Sequence, residues 1–310
     1  MNLRRLIEQY IALQHSIGTR FVSGAYLLRA FGRTRGKNAS ITNIRPEHVE
    51  AFLGTTRPVP RAWHTNLSLL RGFFRYVVSR GYLAAAPLPT VIPKQPPSFV
   101  PYIFTQNELS SLLQAIDADE RHSCLEPVTM RTLILLLYGA GLRLSETIHL
   151  THGDVDFRSA VLTIRNTKFG KTRLCPFGPK LGESLATYAR RTRSPRPEAL
   201  FFTTRMKTSI KPTTLQRKFR VMCDRAGIRR TNGAHEQPRL HDLRHTFAVH
   251  RLTSWYRQGA NVQRLLYQLS VYLGHVHIRC TQVYLTMTPE LLHEAGQRFE
   301  SYAGKGQCHD

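Results

Sequence analysis

The stretch His241-Asp242-Leu243-Arg244-His245, which opens HDLRHTFAVH (241–250), says most about this chain. On a helix, His241 and Arg244 stand at i and i+3 and share a face, with His245 on the same face. Arg143 lies upstream in GAGLRLSE and Tyr284 downstream in CTQVY. Together these residue types suit phosphodiester chemistry without a metal: arginines grip a phosphate, histidines share protons and a tyrosine attacks. Two plainer readings compete. The polar residues can be incidental to a helix, or His241 and His245 can form an i,i+4 metal pair. The metal reading lacks the glutamate of HExxH and sets Arg244 between the ligands.

The bulk composition narrows the choice. At 310 residues, two domains are expected. The formal net charge is +24 and the isoelectric point about 10.6. A chain this basic repels itself unless a polyanion shares its field, so nucleic acid is the leading partner and an anionic membrane surface the second. No run of about 18 apolar residues exists to span a membrane. The N-terminus carries Glu8, Gln9 and Gln14 within its apolar stretch, so it reads as an amphipathic helix and not a signal peptide. Five scattered cysteines with no CxxC pair suit a reducing cytoplasm and argue against a zinc module or disulfide framework.

Proline density sets the boundary. Residues 84–102 contain Pro87, Pro89, Pro93, Pro96, Pro97 and Pro101, which forbid helix and favour an extended connector. The expected plan is a helical domain over 1–85, a linker over 86–102 and a second domain over 103–310. Residues 1–95 hold 14 Lys and Arg against Glu8, Glu47 and Glu50. Helices are predicted near 2–17, 21–33, 46–54 and 61–80. In the last, Leu67, Leu70, Phe74 and Val77 form a core face, leaving Arg61, Arg71, Arg75 and Arg80 for another. In the second domain, Thr105 to Glu108 has capping-box spacing. Helices follow near 127–138, 144–150, 179–191, 212–226, 241–258, 261–273 and 289–301. Residues 155–176 alternate and are rich in β-branched residues, predicting two or three short antiparallel strands with a turn at 168–171. The fold class is mainly α with a small antiparallel β-sheet.

Each remaining candidate is weak alone. Arg143 emerges between apolar Leu142 and Leu144, so it needs an anionic partner: Glu146 in a structural ion pair, or a phosphate that its planar guanidinium matches bidentately. Lys168 and Lys171 fall in a turn, where lysines are ordinarily solvated, yet a lysine there can reach a leaving oxygen. Tyr284 is one of 12 tyrosines, and most tyrosines pack; a phenol needs electrostatic help to attack.

The order GAGLRLSE, lysine hairpin, HDLRHTFAVH, LGH and CTQVY closely resembles the catalytic domain of tyrosine recombinases, the family of phage integrases and Xer-type recombinases. The resemblance covers roughly 103–302, and the basic helical region before the linker looks like that family's core-binding domain. It implies two domains forming a clamp around DNA. It implies a site-specific recombinase that exchanges strands between two duplexes through a 3′-phosphotyrosine and a Holliday junction, in integration, excision, transposition or resolution. Arg143 and Arg244 look like the phosphate clamp, Lys168 the general acid with Lys171 as runner-up, His241 and His275 the histidines lining the site, and Tyr284 the nucleophile. Glu146 looks like a support. Arg61, Arg71, Arg75, Lys171 and Arg173 are candidate DNA contacts. No metal, ATP or other cofactor is implied. The implied partners are double-stranded DNA and, on synapsed DNA, a homotetramer, with a monomer or dimer when free; partner recombinases or accessory proteins can join. Leu291, Leu292, Ala295 and Phe299 would dock a C-terminal helix on a neighbouring protomer, the alternative being a fold back onto its own domain. No arm-binding segment is seen before the helical region, which points to a simple recombinase. Two departures stand out: about one extra helical turn between Gly259 and His275, and Leu285 in place of the threonine common after the tyrosine. The rivals are a regulator of the same fold, a type IB topoisomerase-like enzyme and a metal hydrolase.

Overall fold

The computed structural model describes residues 1–55, 60–95, 100–119, 123–165, 172–192, 194, 196–230, 237–287 and 289–305. The chain divides into two compact units, Met1–Phe99 and Val100–Asp310. The first contains α1 (Leu3–Ser16), α2 (Val22–Thr34), α3 (Pro46–Thr55) and α4 (Pro60–Ser79). Asn2 caps α1 by accepting the backbone N–H groups of Arg4 and Arg5. Phe31, Phe73 and Phe74 lie at the centre of this unit's core, and Leu67, Leu70 and Val77 of α4 join them. Arg61, Arg71, Arg75 and Arg80 are all exposed, as the helical period predicts. Proline does not make the whole connector independent: Pro87 and Pro89 are buried, and Leu88 packs against this first core.

The second unit begins with α5 (Gln106–Asp117), opened by the expected capping box of Thr105 and Glu108. Then come α6 (Pro127–Gly139) and α7 (Leu144–Ile148), followed by β1 (Val155–Asp156), β2 (Val161–Ile164) and β3 (Arg173–Pro176). The strands form one antiparallel sheet in the order β1-β2-β3, with Leu162 opposite Cys175 and Ile164 opposite Arg173. The helices α8 (Pro179–Thr192), α9 (Pro212–Arg225), α10 (Leu240–Arg257) and α11 (Val262–Leu273) complete the body.

Helix α10 organises this unit. Its first turns put Leu240 and Leu243 into the larger core with α6 and the sheet. Further along, Phe247, Ala248, Val249 and Leu252 enter a second core with Leu266, Leu269 and Leu273 of α11. A helix wrapped this closely has few open positions, and in its first turns His241 is exposed and His245 partly so, on the side left for chemistry. Among the described residues, no helix is long and apolar enough to cross a membrane.

The tyrosine segment is α12 (Arg279–Gln282) running into a 3-10 turn at Val283–Thr286. The last helix, α13 (Pro289–Lys305), packs against α10 of its own unit. Leu291 is fully buried in the second core and Glu294 pairs with Arg257 at 2.8 Å. Leu292 and Phe299 are exposed, so docking in trans is not what buries Leu291 in the free chain.

Candidate active site

Four separate segments converge here, and backbone geometry explains how. Gly141 ends the turn after α6 at φ +58, where a Cβ would lie 2.5 Å from the Phe247 ring. This close approach presents the Gly141 carbonyl to Arg244. Gly274 terminates α11 at φ +67 in a left-handed cap, and the chain turns there toward His275.

Arg244 is 1% exposed. Its two terminal nitrogens donate to Gly141 O and Leu273 O, each at 2.6 Å. Burial, then the like charge of Arg143, brings its pKa down to about 10, so it remains cationic at neutral pH. An arginine held this way by backbone carbonyls has neutral partners only, and its charge is left for an anion.

Arg143 caps the start of α7. Its guanidinium donates to Glu146 Oε1 at 2.8 Å and to Gly274 O at 2.8 Å, and its backbone N–H donates to Glu146 Oε2 at 2.9 Å. The ion pair left open by sequence reasoning is therefore present, and the guanidinium still reaches the surface of the site. Glu146 is nearly enclosed. Burial alone would raise its pKa, but Arg173 and then Arg143 outweigh it and hold the carboxyl at about 2.

Arg173 corrects an expectation. It was a candidate DNA contact, yet its side chain is only 11% exposed. Nη1 and Nη2 grip both Glu146 oxygens at 2.9 and 2.8 Å, and Nε donates to Tyr272 O at 2.9 Å. The strand buries this residue toward α11, so it braces the site from inside. Lys168 and Lys171 lie outside the described residues.

Tyr284 is 2% exposed. His245 Nδ1 lies 3.1 Å from its hydroxyl. The His275 ring stacks on the phenol with centroids 6.1 Å apart, and His275 Nδ1 sits 2.7 Å from Thr281 Oγ1. Burial raises the phenol pKa, while the Arg244 and Arg143 charges pull against it. His241 keeps an open side but packs edge-on against His245 at 4.8 Å. Partial burial, then the charges of Arg244, Arg239 and Arg143, lower its pKa to about 4. Burial, then the charges of Arg244, Arg143 and Arg173, lower His275 to about 4, and burial, then the His241 ring and the charges of Arg244 and Arg239, lower His245 to about 3. All three histidines are neutral at pH 7 in the free chain.

The sequence-predicted residues Arg143, Glu146, His241, Arg244, His275 and Tyr284 thus gather at one place. Sequence reasoning placed His245 on the shared helix face without a role in the implied site, and had no signal for Thr281 or the Tyr272 and Gly274 carbonyls. Among the described residues, no group of three or more His, Cys, Asp and Glu is placed to hold a metal ion.

Comparison with known proteins agrees with this geometry. Residues 103–290 match the phage integrase family. The putative integrase/recombinase y4rB of Sinorhizobium fredii (strain NBRC 101917 / NGR234) is 34% identical over 305 residues, covering 96% of each chain. The tyrosine recombinase XerA of Thermococcus onnurineus (strain NA1) is 32% identical, over 94% of this chain and 93% of that one. In fold, the Tn1549 transposon integrase in complex with transposon right end DNA is similar, with a TM-score of 0.71 at 17% identity, covering 98% of this chain and 100% of that one. The chain belongs to the phage integrase family of tyrosine recombinases. It is a site-specific DNA recombinase of the tyrosine type.

Proposed function

We propose that Tyr284 attacks a DNA phosphodiester held by Arg143 and Arg244, forming a 3′-phosphotyrosine and freeing a 5′-hydroxyl. The observation that carries this is the buried Tyr284 phenol within the field of both arginines, whose cores and carbonyl anchors keep them in place before DNA arrives. Such preorganised donors stabilise the charge of the phosphorane at no reorganisation cost. Fixing the phenol beside the phosphate supplies the entropic part. His241 and His275 line the phosphate, and Glu146 keeps Arg143 aimed. Lys168, with Lys171 as the alternative, protonates the leaving 5′-oxygen.

A 5′-hydroxyl from a second duplex then attacks the phosphotyrosine and regenerates Tyr284. The phosphoester energy is conserved, so no ATP is consumed. The charge work assigned elsewhere to a divalent ion falls here to guanidinium groups. Strand exchange between two duplexes breaks four strands, so the working assembly is a tetramer on synapsed DNA. Residues 1–85 act as a DNA-binding domain, supported by the exposed Arg61, Arg71 and Arg75 on one helix. With the 86–102 connector they form the other arm of a clamp with the catalytic domain over 103–310.

A duplex nicked near the cleavage point tests this reading, because the fragment beyond the nick diffuses away and traps the intermediate. A covalent protein–DNA adduct should accumulate with EDTA present. Tyr284→Phe should bind the same DNA and give no adduct; an adduct from that variant would assign the nucleophile elsewhere. Tight binding by the unaltered protein without any adduct would favour the regulator.

A further inference from the structure

We infer that His245 is a further catalytic residue, which takes the proton of Tyr284 as the phenol attacks the phosphate. This rests on the assignment of Tyr284 as nucleophile. A phenol that is 2% exposed cannot lose its proton freely to bulk water, so a neighbouring group must receive it. Among the described residues, the acceptor within reach of the hydroxyl is His245 Nδ1 at 3.1 Å. The arginines beside the phenol can only donate. His275 meets the face of the ring by stacking, and its Nδ1 is committed to Thr281.

Both charged and titratable groups face His245. Arg244, Arg239 and His241 belong to its own helix or the residue before it, and His275 belongs to the turn after α11. Together with burial they keep the imidazole neutral in the free chain, which leaves one ring nitrogen as an acceptor. Acceptance at Nδ1 places the remaining hydrogen on Nε2. A bound phosphodiester brings negative charge against Arg244 and Arg239, and this raises the proton affinity of His245 when DNA is present. His241, packed edge-on against His245 and open on its other side, lies toward solvent.

The step balances. The Tyr284 O–H proton moves to His245 Nδ1 as the phenol oxygen forms its bond to phosphorus. The bond from phosphorus to the 5′-oxygen breaks, and that oxygen takes a proton from the lysine acid. On rejoining, the incoming 5′-hydroxyl gives its proton back to the now-neutral lysine amine as its oxygen bonds to phosphorus, the bond from phosphorus to the Tyr284 oxygen breaks, and the His245 imidazolium returns a proton to the departing phenolate.

Two variants and an altered tyrosine test this. His245→Asn keeps an acceptor near the Nδ1 position without its basicity, and His245→Ala removes both. Single-turnover cleavage of the nicked substrate should slow by about 100-fold or more in each, with DNA binding retained. A fluorinated tyrosine of lower pKa at position 284 should recover most of that rate, because its proton leaves without a strong base. Unchanged cleavage in His245→Asn, or faster cleavage in His245→Ala, would overturn the inference; the latter would make His245 a latch. Slow cleavage that the fluorinated tyrosine does not rescue would reduce His245 to a packing role. None of these outcomes touches the nucleophile assignment, which fails only if Tyr284→Phe still forms adducts.

Discussion

Arg173 and Glu146 face each other in a two-pronged ion pair, Nη1 to one carboxylate oxygen at 2.9 Å and Nη2 to the other at 2.8 Å. Glu146 also holds Arg143, and Arg173 also holds the Tyr272 carbonyl. This pair therefore ties the strand leading from the lysine hairpin, the arginine turn and the end of α11 into one frame. Removing one partner strands a buried charge. Arg173→Ala should cost about 3–5 kcal/mol in denaturant unfolding. Arg173→Lys keeps the charge but loses the fork, so cleavage should fall more than DNA affinity does. A selective loss of DNA affinity would return Arg173 to the DNA surface.

The same pair sets an acid limit. The Glu146 pKa is about 2 when folded, below its ordinary value of 4.5. Its contribution is present above the unfolded value and is lost as pH falls from about 4.5 toward 2. The magnitude is on the order of 3 kcal/mol. Unfolding followed across that window should show Glu146→Gln less stable at pH 7 and the difference shrinking as the pH drops.

Gly141→Ala should destabilise the protein by about 1–3 kcal/mol, since a Cβ there meets the Phe247 ring and the residue adopts φ +58. The carbonyl that anchors Arg244 should shift with it, so cleavage should drop while DNA binding persists. Gly178 has open space around the same position, and Gly178→Ala should stay within about 0.5 kcal/mol. Thermal melts and single-turnover cleavage of the two variants separate these outcomes.

Leu291 and Leu292 are neighbours with opposite fates, one fully buried and the other half exposed. Leu291→Ala should cost about 2–5 kcal/mol in the unbound protein, and Leu292→Ala should cost little. Equal, small effects would mean that α13 leaves its own domain in solution.

Replacing Arg61, Arg71 and Arg75 with Ala should weaken DNA binding across sequences. The slope of log affinity against log salt should shrink by about 0.9 for each phosphate no longer neutralised. Adduct formation at saturating DNA should hold. An unchanged slope would leave these arginines as a solvated face.

Helix α4 shows how much was legible in advance. Its core positions follow from helical period alone, because Leu67, Leu70, Phe74 and Val77 recur on one face. The capping box at Thr105 is equally local. Arg143, His241, Arg244, His275 and Tyr284 could be picked out because each belongs to a short motif and the motifs occur in a known order. The tyrosine segment had no such period: four residues of α-helix and a 3-10 turn are too short to leave one, and packing on α11 and α10 holds them.

Arg173 and His245 mark the boundary between the two kinds of knowledge. Along the chain, Arg173 is one basic residue beside a hairpin and His245 one neighbour of Arg244. Sequence determined the residue types, their order, the basic charge and the periodic cores, since these depend on identity and near spacing. Tertiary structure decided that Arg173 turns inward to Glu146, that His245 meets the Tyr284 hydroxyl and that α13 folds onto its own domain. Those pairings join residues 27, 39 and 37 positions apart, and only the packing of the cores selects which distant groups meet.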